Sequence, residues 1–147
     1  MRAWLLAFAL LAACGPAPAP PVPKDPTTEA WYAQDVTDLT AMAHQASDLF
    51  KNGKPDDAAA LIEKGEPLSA KLLAVRNPTL AAVEAASDLD QLYGQMLFSN
   101  HNYGWARLMF QKNLARWKTW TPQTPATTAR LKAAQTAIAQ CDTKILQ

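Results

Sequence analysis

From residue 27 onward, apolar positions recur every three or four residues, the period of an α-helix with one face turned inward. Tyr32, Val36, Leu39, Ala43, Ala46 and Phe50 form the first such series. Thr27 or Thr28, directly after Pro26, is expected to cap the helix that carries it. Lys51-Asn52-Gly53 ends it with a positive charge and residues that tolerate left-handed backbone. Lys54-Pro55-Asp56-Asp57 then starts a second helix, with proline in the first turn and the acids at the positive end of the dipole. Its stripe of Leu61, Ile62, Leu68 and Leu72 crosses Gly65-Glu66-Pro67, where proline removes an intrahelical hydrogen bond. The pattern leaves a kink and a break there equally open.

Asn77-Pro78 marks a third helix start, and no breaker follows until Gly94. Val83, Leu89, Leu92, Tyr93, Met96 and Leu97 are expected to face inward. Ser87-Asp88-Leu89-Asp90 resembles a capping box, so a fresh helix from Ser87 is the alternative. Residues 103–118 predict a fourth helix, apolar on two sides: Ala106, Met109, Phe110 and Trp117 on one, Trp105 and Leu108 on the other. Such a helix is expected between neighbours. Residues 87–120 hold three of the five tryptophans and read as two helices folded back on each other, the centre of the packing. Thr124-Pro125 opens a fifth helix with a narrow stripe of Leu131, Ala134, Ile138, Cys141 and Ile145, which suits a C-terminal cap. The fold class is therefore all-α: about five helices in antiparallel hairpins over residues 27–147, with the last helix as the cap.

The first 14 residues, MRAWLLAFALLAAC, follow a different pattern: one positive charge, an unbroken apolar run, then small residues. The run is too short to cross a bilayer core of about 30 Å and fits the middle of a secretory signal peptide. Leu11-Ala12-Ala13-Cys14 resembles the lipobox of bacterial lipoproteins. The resemblance implies that residues 1–13 are removed and that Cys14 is lipidated and acylated at its new amino end. Several acyl chains anchor firmly, since each buried methylene contributes about 0.8 kcal/mol. Gly15 follows Cys14, not the aspartate that resembles an inner-membrane retention signal, so the outer membrane facing the periplasm is the expected location. Residues 14–26 then read as the lipidated cysteine and a proline-rich tether. With Cys14 assigned to lipid, Cys141 has no internal disulfide partner, and its place in the last stripe makes it a core thiol.

Net charge is close to zero, but the two halves differ. Residues 24–90 carry 12 acidic and 6 basic side chains, residues 91–147 only 1 acidic and 7 basic. Either a basic surface meets an anionic partner, or an acidic helix packs beside a basic one. Folding the central hairpin about His101 favours the second: it sets Lys112 near Asp90, Lys118 near Glu84, and Asp88 within a turn of Arg116. The basic residues Arg107, Lys112, Arg116 and Lys118 interleave with Trp105, Trp117 and Trp120, a mixture used elsewhere for nucleic acid. In an envelope lipoprotein a peptide, glycan or anionic polymer is the expected meaning, and nucleic acid is not.

Gly94, Tyr103, Ala106 and Phe110 match the spacing of the tetratricopeptide repeat family, and Gly53 and Ala58 match its turn glycine and following small residue. The chain thus resembles that family over residues 39–122. It departs from the pattern at His101 in place of the turn glycine, at Asn113 in place of a small residue, at a closing proline displaced to Pro122, and at registers 48 residues apart where the family repeats every 34. The resemblance implies a concave face lined by the first helix of each hairpin. Carried onto this chain, that face holds Thr40, Ser47, Phe50 and Lys51 from one hairpin and Gln91, Gln95, Phe98 and Ser99 from the other. Phe50 and Phe98 are the expected anchors for an internal peptide segment; the competing reading is that both rings finish the core.

No phosphate loop, nucleophile elbow, HExxH or CxxC is present, so catalysis and cofactors have no support. His44 and His101 stand far apart without ligand spacing, which argues against zinc. Asp56-Asp57 and the Asp88/Asp90 pair are expected in helix first turns, complementing the dipole. The sequence therefore points to a lipid-anchored interaction or assembly module that docks another envelope protein. The alternative is an envelope binder of a glycan, peptidoglycan fragment or peptide, stacked on the tryptophans.

Overall fold

A computed structural model describes residues 24–147; Cys14, the expected signal segment and most of the expected tether lie outside them. The described chain is all-α, with no strand among the described residues. A 3-10 turn (Pro26–Thr28) precedes helices α1 (Ala30–Lys51), α2 (Pro55–Leu73), α3 (Leu80–Ser99), α4 (Tyr103–Thr119) and α5 (Pro125–Ile145). Consecutive helices fold back on each other, and α3 also packs along α1, while α5 lies against α4. The bundle therefore has two ends. The start of α1 and the α2–α3 and α4–α5 connections form the Trp31 end. The α1–α2 and α3–α4 turns form the His101 end.

The two hairpin turns stop their first helices in the same way. Gly53 takes φ 73°, and the Gly53 and Lys54 amides donate to the Phe50 and Leu49 carbonyls. His101 takes φ 60°, and the His101 and Asn102 amides donate to the Phe98 and Leu97 carbonyls. A left-handed residue after the helix end satisfies carbonyls that otherwise lack partners, and a glycine adopts that conformation most cheaply. His101 thus takes after α3 the left-handed position that Gly53 takes after α1.

Helix starts differ in detail from the sequence reading. Neither Thr27 nor Thr28 caps α1: the Asp25 carboxylate accepts from the Thr27 amide, and Glu29 precedes α1 without a side-chain cap. Thr79, not Asn77-Pro78, caps α3, its hydroxyl accepting from the Ala82 amide, and the Thr79 amide donates to the buried Tyr32 hydroxyl at 3.0 Å. At α5 Thr124 and Thr127 form a reciprocal capping box.

The Gly65-Glu66-Pro67 stretch neither breaks nor ends α2, which runs unbroken from Pro55 to Leu73. Glu63 and Pro67 are exposed, so water can replace the bond that Pro67 does not make. Gly65 is buried instead: a Cβ there would come within 2.9 Å of Leu89 Cδ2 and 3.3 Å of Leu39 Cδ1. Two helices approach each other over it. Nor does a helix begin at Ser87, since α3 is continuous through it and through Gly94.

The core has two parts. The larger gathers Tyr32, Leu39, Ile62, Leu72, Leu89 and Met96 from α1, α2 and α3; the smaller joins Ala106, Phe110, Ala137 and Cys141 from α4 and α5. The most enclosed helix is α3, with ten of its twenty residues buried, and not α4. The second apolar side expected on α4 faces solvent, with Trp105 64% and Leu108 47% exposed. Along α5 the buried stripe is Thr127, Ala134, Ala137 and Cys141, while Ile145 is exposed.

Candidate functional site

The residues expected on the concave face largely meet. Phe50 at the end of α1, Gln91, Gln95 and Phe98 on α3, and Ser99 beside the turn line one groove of about 330 Å³. Phe110 from α4 and Ala137 and Gln140 from α5 complete it. Thr40, Ser47 and Lys51 are not among its lining residues. Ser47 is half-buried on α1, and Lys51 is exposed and lies 3.8 Å from Asp48.

At this groove α3 and α5 both flank α4. Toward the start of α5, Arg130 bridges to α3: its guanidinium reaches Asp88 Oδ1 at 2.5 Å and Glu84 Oε1 at 3.6 Å and lies over the Trp117 ring. Beneath it, a smaller cavity of about 140 Å³ shares Gln91 with the groove.

The groove lining contains no ionisable side chain. Three phenyl rings and Ala137 give it apolar contact area, while three glutamine amides and the Ser99 hydroxyl offer both donors and acceptors. An extended backbone presents the complementary alternation of amide and carbonyl groups. A hollow of about 400 Å³ over α2, beside Tyr93, is lined by Asp56, Glu63 and Glu66 and lacks this character.

Phe50 and Phe98 do double duty. Phe50 packs against the larger core, and Phe98 packs against the smaller one and meets the Tyr103 ring edge-on at 5.1 Å. Each ring therefore finishes a core and also shows one side to the groove. Removing Phe98 removes packing as well as a groove wall, so the glutamines are the cleaner probes of binding.

A buried polar network between α3 and α4 that the sequence reading did not find adjoins the groove at Gln91, whose Oε1 lies 3.5 Å from Asn113 Nδ2. Asn113 donates from Nδ2 to the Ser87 carbonyl at 3.0 Å and accepts from Arg116 Nη1 at 2.6 Å. Arg116 Nη2 also donates to Asp90 Oδ2 at 2.8 Å, and Lys112 Nζ donates to Asp90 Oδ1 at 2.7 Å. Trp117 Nε1 donates to Ser87 Oγ at 2.8 Å. Among the described residues no buried side-chain nitrogen or oxygen lacks a partner. The signal was available: folding the hairpin about His101 sets Lys112 against Asp90, and the same register sets Asn113 and Trp117 against Ser87.

This network also corrects two assignments. Asp88 and Asp90 lie well inside α3, not in a first turn, and hold cations from α4 and α5; Asp56 and Asp57 do occupy the first turn of α2. Of the expected ion pairs, Lys112–Asp90 forms, but Glu84 and Asp88 both meet Arg130, while Arg116 turns to Asp90. Arg107 pairs with Asp142 at 2.6 Å. Three of the seven cations of residues 91–147, Lys112, Arg116 and Arg130, thus pair with acids of residues 24–90, so helix pairing accounts for part of the charge split.

The tryptophans do not share one surface. Trp117 is buried, Trp105 is exposed on α4, and Trp120 lines a hollow at the Trp31 end with Arg76 and Pro78. His44 is exposed on α1, and the His101 ring nitrogen sits 2.7 Å from the Tyr103 hydroxyl on the turn. Cys141 is fully buried with Phe110 and Ala106; burial pushes its thiol up, and the Asp142 charge adds to this.

No described helix is long and apolar enough to cross a membrane. The chain matches no family model, no curated protein and no solved structure in comparisons with each.

Proposed function

We propose that this chain is a lipid-anchored protein of the bacterial envelope that docks an uncharged, extended segment of another envelope protein, without catalysis. The observation that carries the reading is the groove between α1, α3 and α5. It combines aromatic walls with paired amides and has no charge to attract an ion or a charged chain end. Phenyl rings at its ends supply the buried aromatic contact that dominates binding energy, and the glutamines match the hydrogen-bonding groups of a peptide backbone.

The lipobox-like Leu11-Ala12-Ala13-Cys14 supports lipid anchoring through Cys14, with the outer membrane facing the periplasm as the location. The likeness to tetratricopeptide hairpins is supported by the close approach at Gly94, where a Cβ would meet Phe110 Cε1 at 2.5 Å, and by the full burial of Ala106. Glycan stacking is the weaker reading, because the three tryptophans of the central stretch do not form a common platform.

The test places a photoreactive residue at Gln95 in the groove and, as a control, at Ala41, exposed on α1. Irradiation in cells is expected to join Gln95, and not Ala41, to one envelope protein, at a segment without charged residues. Adducts from both positions alike, or adducts only to glycan, contradict the proposal.

A further inference from the structure

We infer that the Trp31 end of the bundle is a lipid-facing surface that rests on anionic headgroups and points the groove away from the membrane. The inference deepens the reading above and rests on its lipid anchor at Cys14.

The described chain begins with Lys24 at this end, beside Trp31, Lys71 and Arg76. Lys24 stands ten positions after Cys14, and a fully extended chain covers at most about 35 Å over that length. The 22 residues of α1 are about 33 Å long. To lay the His101 end on the bilayer, the tether would have to run taut along the whole bundle. With the Trp31 end down it needs no stretch at all.

The surface at this end suits a headgroup layer. Trp31 and Leu80 are each 37% exposed, Trp120 and Val75 are half-buried, and tryptophan prefers the membrane interface. Lys24, Arg76 and Lys118 are exposed there and form no ion pair among the described residues. Lys71 is shared between Asp35 and the Trp31 ring face at 4.2 Å. The acids at this end are Asp25, whose carboxylate is engaged by Thr27, Glu29, Asp35 itself, and Glu84, which faces Arg130 at 3.6 Å. The balance is only slightly positive, so the tether and the tryptophans set the orientation, and the cations add a preference for anionic lipid.

Exposed apolar groups also occur toward the other end, at Trp105, Leu108, Ile145 and Leu146. Tether length decides between the two ends, and a distance measurement can overturn that decision. Asn77→Cys at the Trp31 end and Asn100→Cys at the His101 end provide exposed labelling sites, while the native Cys141 is buried. Each full-length lipidated variant is labelled with a fluorophore and reconstituted in phosphatidylethanolamine–phosphatidylglycerol vesicles carrying a headgroup-attached quencher. The Asn77 label should lose most of its emission and the Asn100 label almost none. Equal quenching, stronger quenching at Asn100, or quenching at neither site overturns the orientation and leaves the groove reading standing. Protein that fails to float with the vesicles overturns the anchor and this inference together, while the cross-linking at Gln95 still reports on the groove.

Discussion

The hairpin of α1 and α2 and the hairpin of α3 and α4 share a frame but not a filling. His101 stands 48 positions after Gly53, and both take left-handed backbone that ends a helix with the same pair of hydrogen bonds. At that offset Ala58 corresponds to Ala106, both fully buried, and Phe50 to Phe98, both on the groove wall. The interiors then diverge. Gly65 in the first hairpin lets Leu39 and Leu89 close over α2, whereas its counterpart Asn113 anchors a network of Ser87, Asp90, Arg116 and Trp117. An apolar interface tolerates small slides because its contacts are non-directional. A buried polar network is satisfied in one register only, since every unpaired member costs about 1–3 kcal/mol. The second hairpin carries that network, and it is also the one that supplies the groove floor.

The sharpest way to break this contrast is to remove one carboxylate from each hairpin. Asp90→Ala leaves Arg116 and Lys112 without their shared partner, and breaking a buried pair typically costs about 3–5 kcal/mol. Arg116 keeps Asn113 and Lys112 is half exposed, so the lower end of that range is expected. Asp35→Ala removes the pair with the exposed Lys71, where the expected loss is below about 1 kcal/mol. Denaturant melts of the two variants check the difference. Equal losses would mean that the second hairpin's network does not set its stability.

Glycine substitutions probe the close approaches with a smaller effect. In a helix interior, Gly→Ala gains about 1 kcal/mol of propensity. At Gly94 the new methyl group meets the buried Phe110 ring at 2.5 Å, and overpacking costs about 1–3 kcal/mol, so Gly94→Ala is expected to lower the melting temperature. At Gly65 it meets the end of the flexible Leu89 side chain at 2.9 Å, so Gly65→Ala is expected to be close to neutral. A neutral Gly94→Ala would remove the tight contact between α3 and α4.

The smallest effect concerns Cys141. Its folded-state pKa is raised by burial above the ordinary value of 9.0, so the folded state holds its proton more tightly than the unfolded chain does. This contribution is fully present below the unfolded value and is lost as pH rises through the folded one. Stability should therefore fall faster above pH 9.0 in the native protein than in Cys141→Ala, which has no thiol to ionise. Identical pH profiles in alkaline melts would contradict the burial of this thiol.

How much of this was legible in the sequence follows from which signals are local. Helix number and most ends were readable, because caps, prolines and glycine stops act within a few residues, as at Gly53 and Pro55. The central place of α3 was not, since Ala82, Ala85 and Ala86 bury fully or nearly so while carrying little hydrophobic signal. Trp105 and Leu108 erred in the opposite direction: periodicity marks an apolar side but does not show whether a neighbour covers it. Gly65 and Pro67 read as a breaker because a proline's cost is local and a glycine's packing role is visible only with its partner helix. Of the groove, Phe50 and the α3 residues were legible through the hairpin register, whereas Thr40, Ser47 and Lys51, expected on the same face, do not line it. The contributions of α5, Ala137 and Gln140, depend on how α5 packs across α4, which no local pattern encodes.

The central claim is that an uncharged segment lies between α3 and α5, in the groove against Gln95 and Gln140. Both side chains are exposed, so Gln140→Glu places a charge in the groove without disturbing the core. The decisive measurement is the yield of the Gln95 cross-link in that background, at equal levels of folded protein. The account predicts an unchanged melting temperature and near-complete loss of the adduct. A Gln140→Glu protein that captures the same partner at the native yield would contradict it.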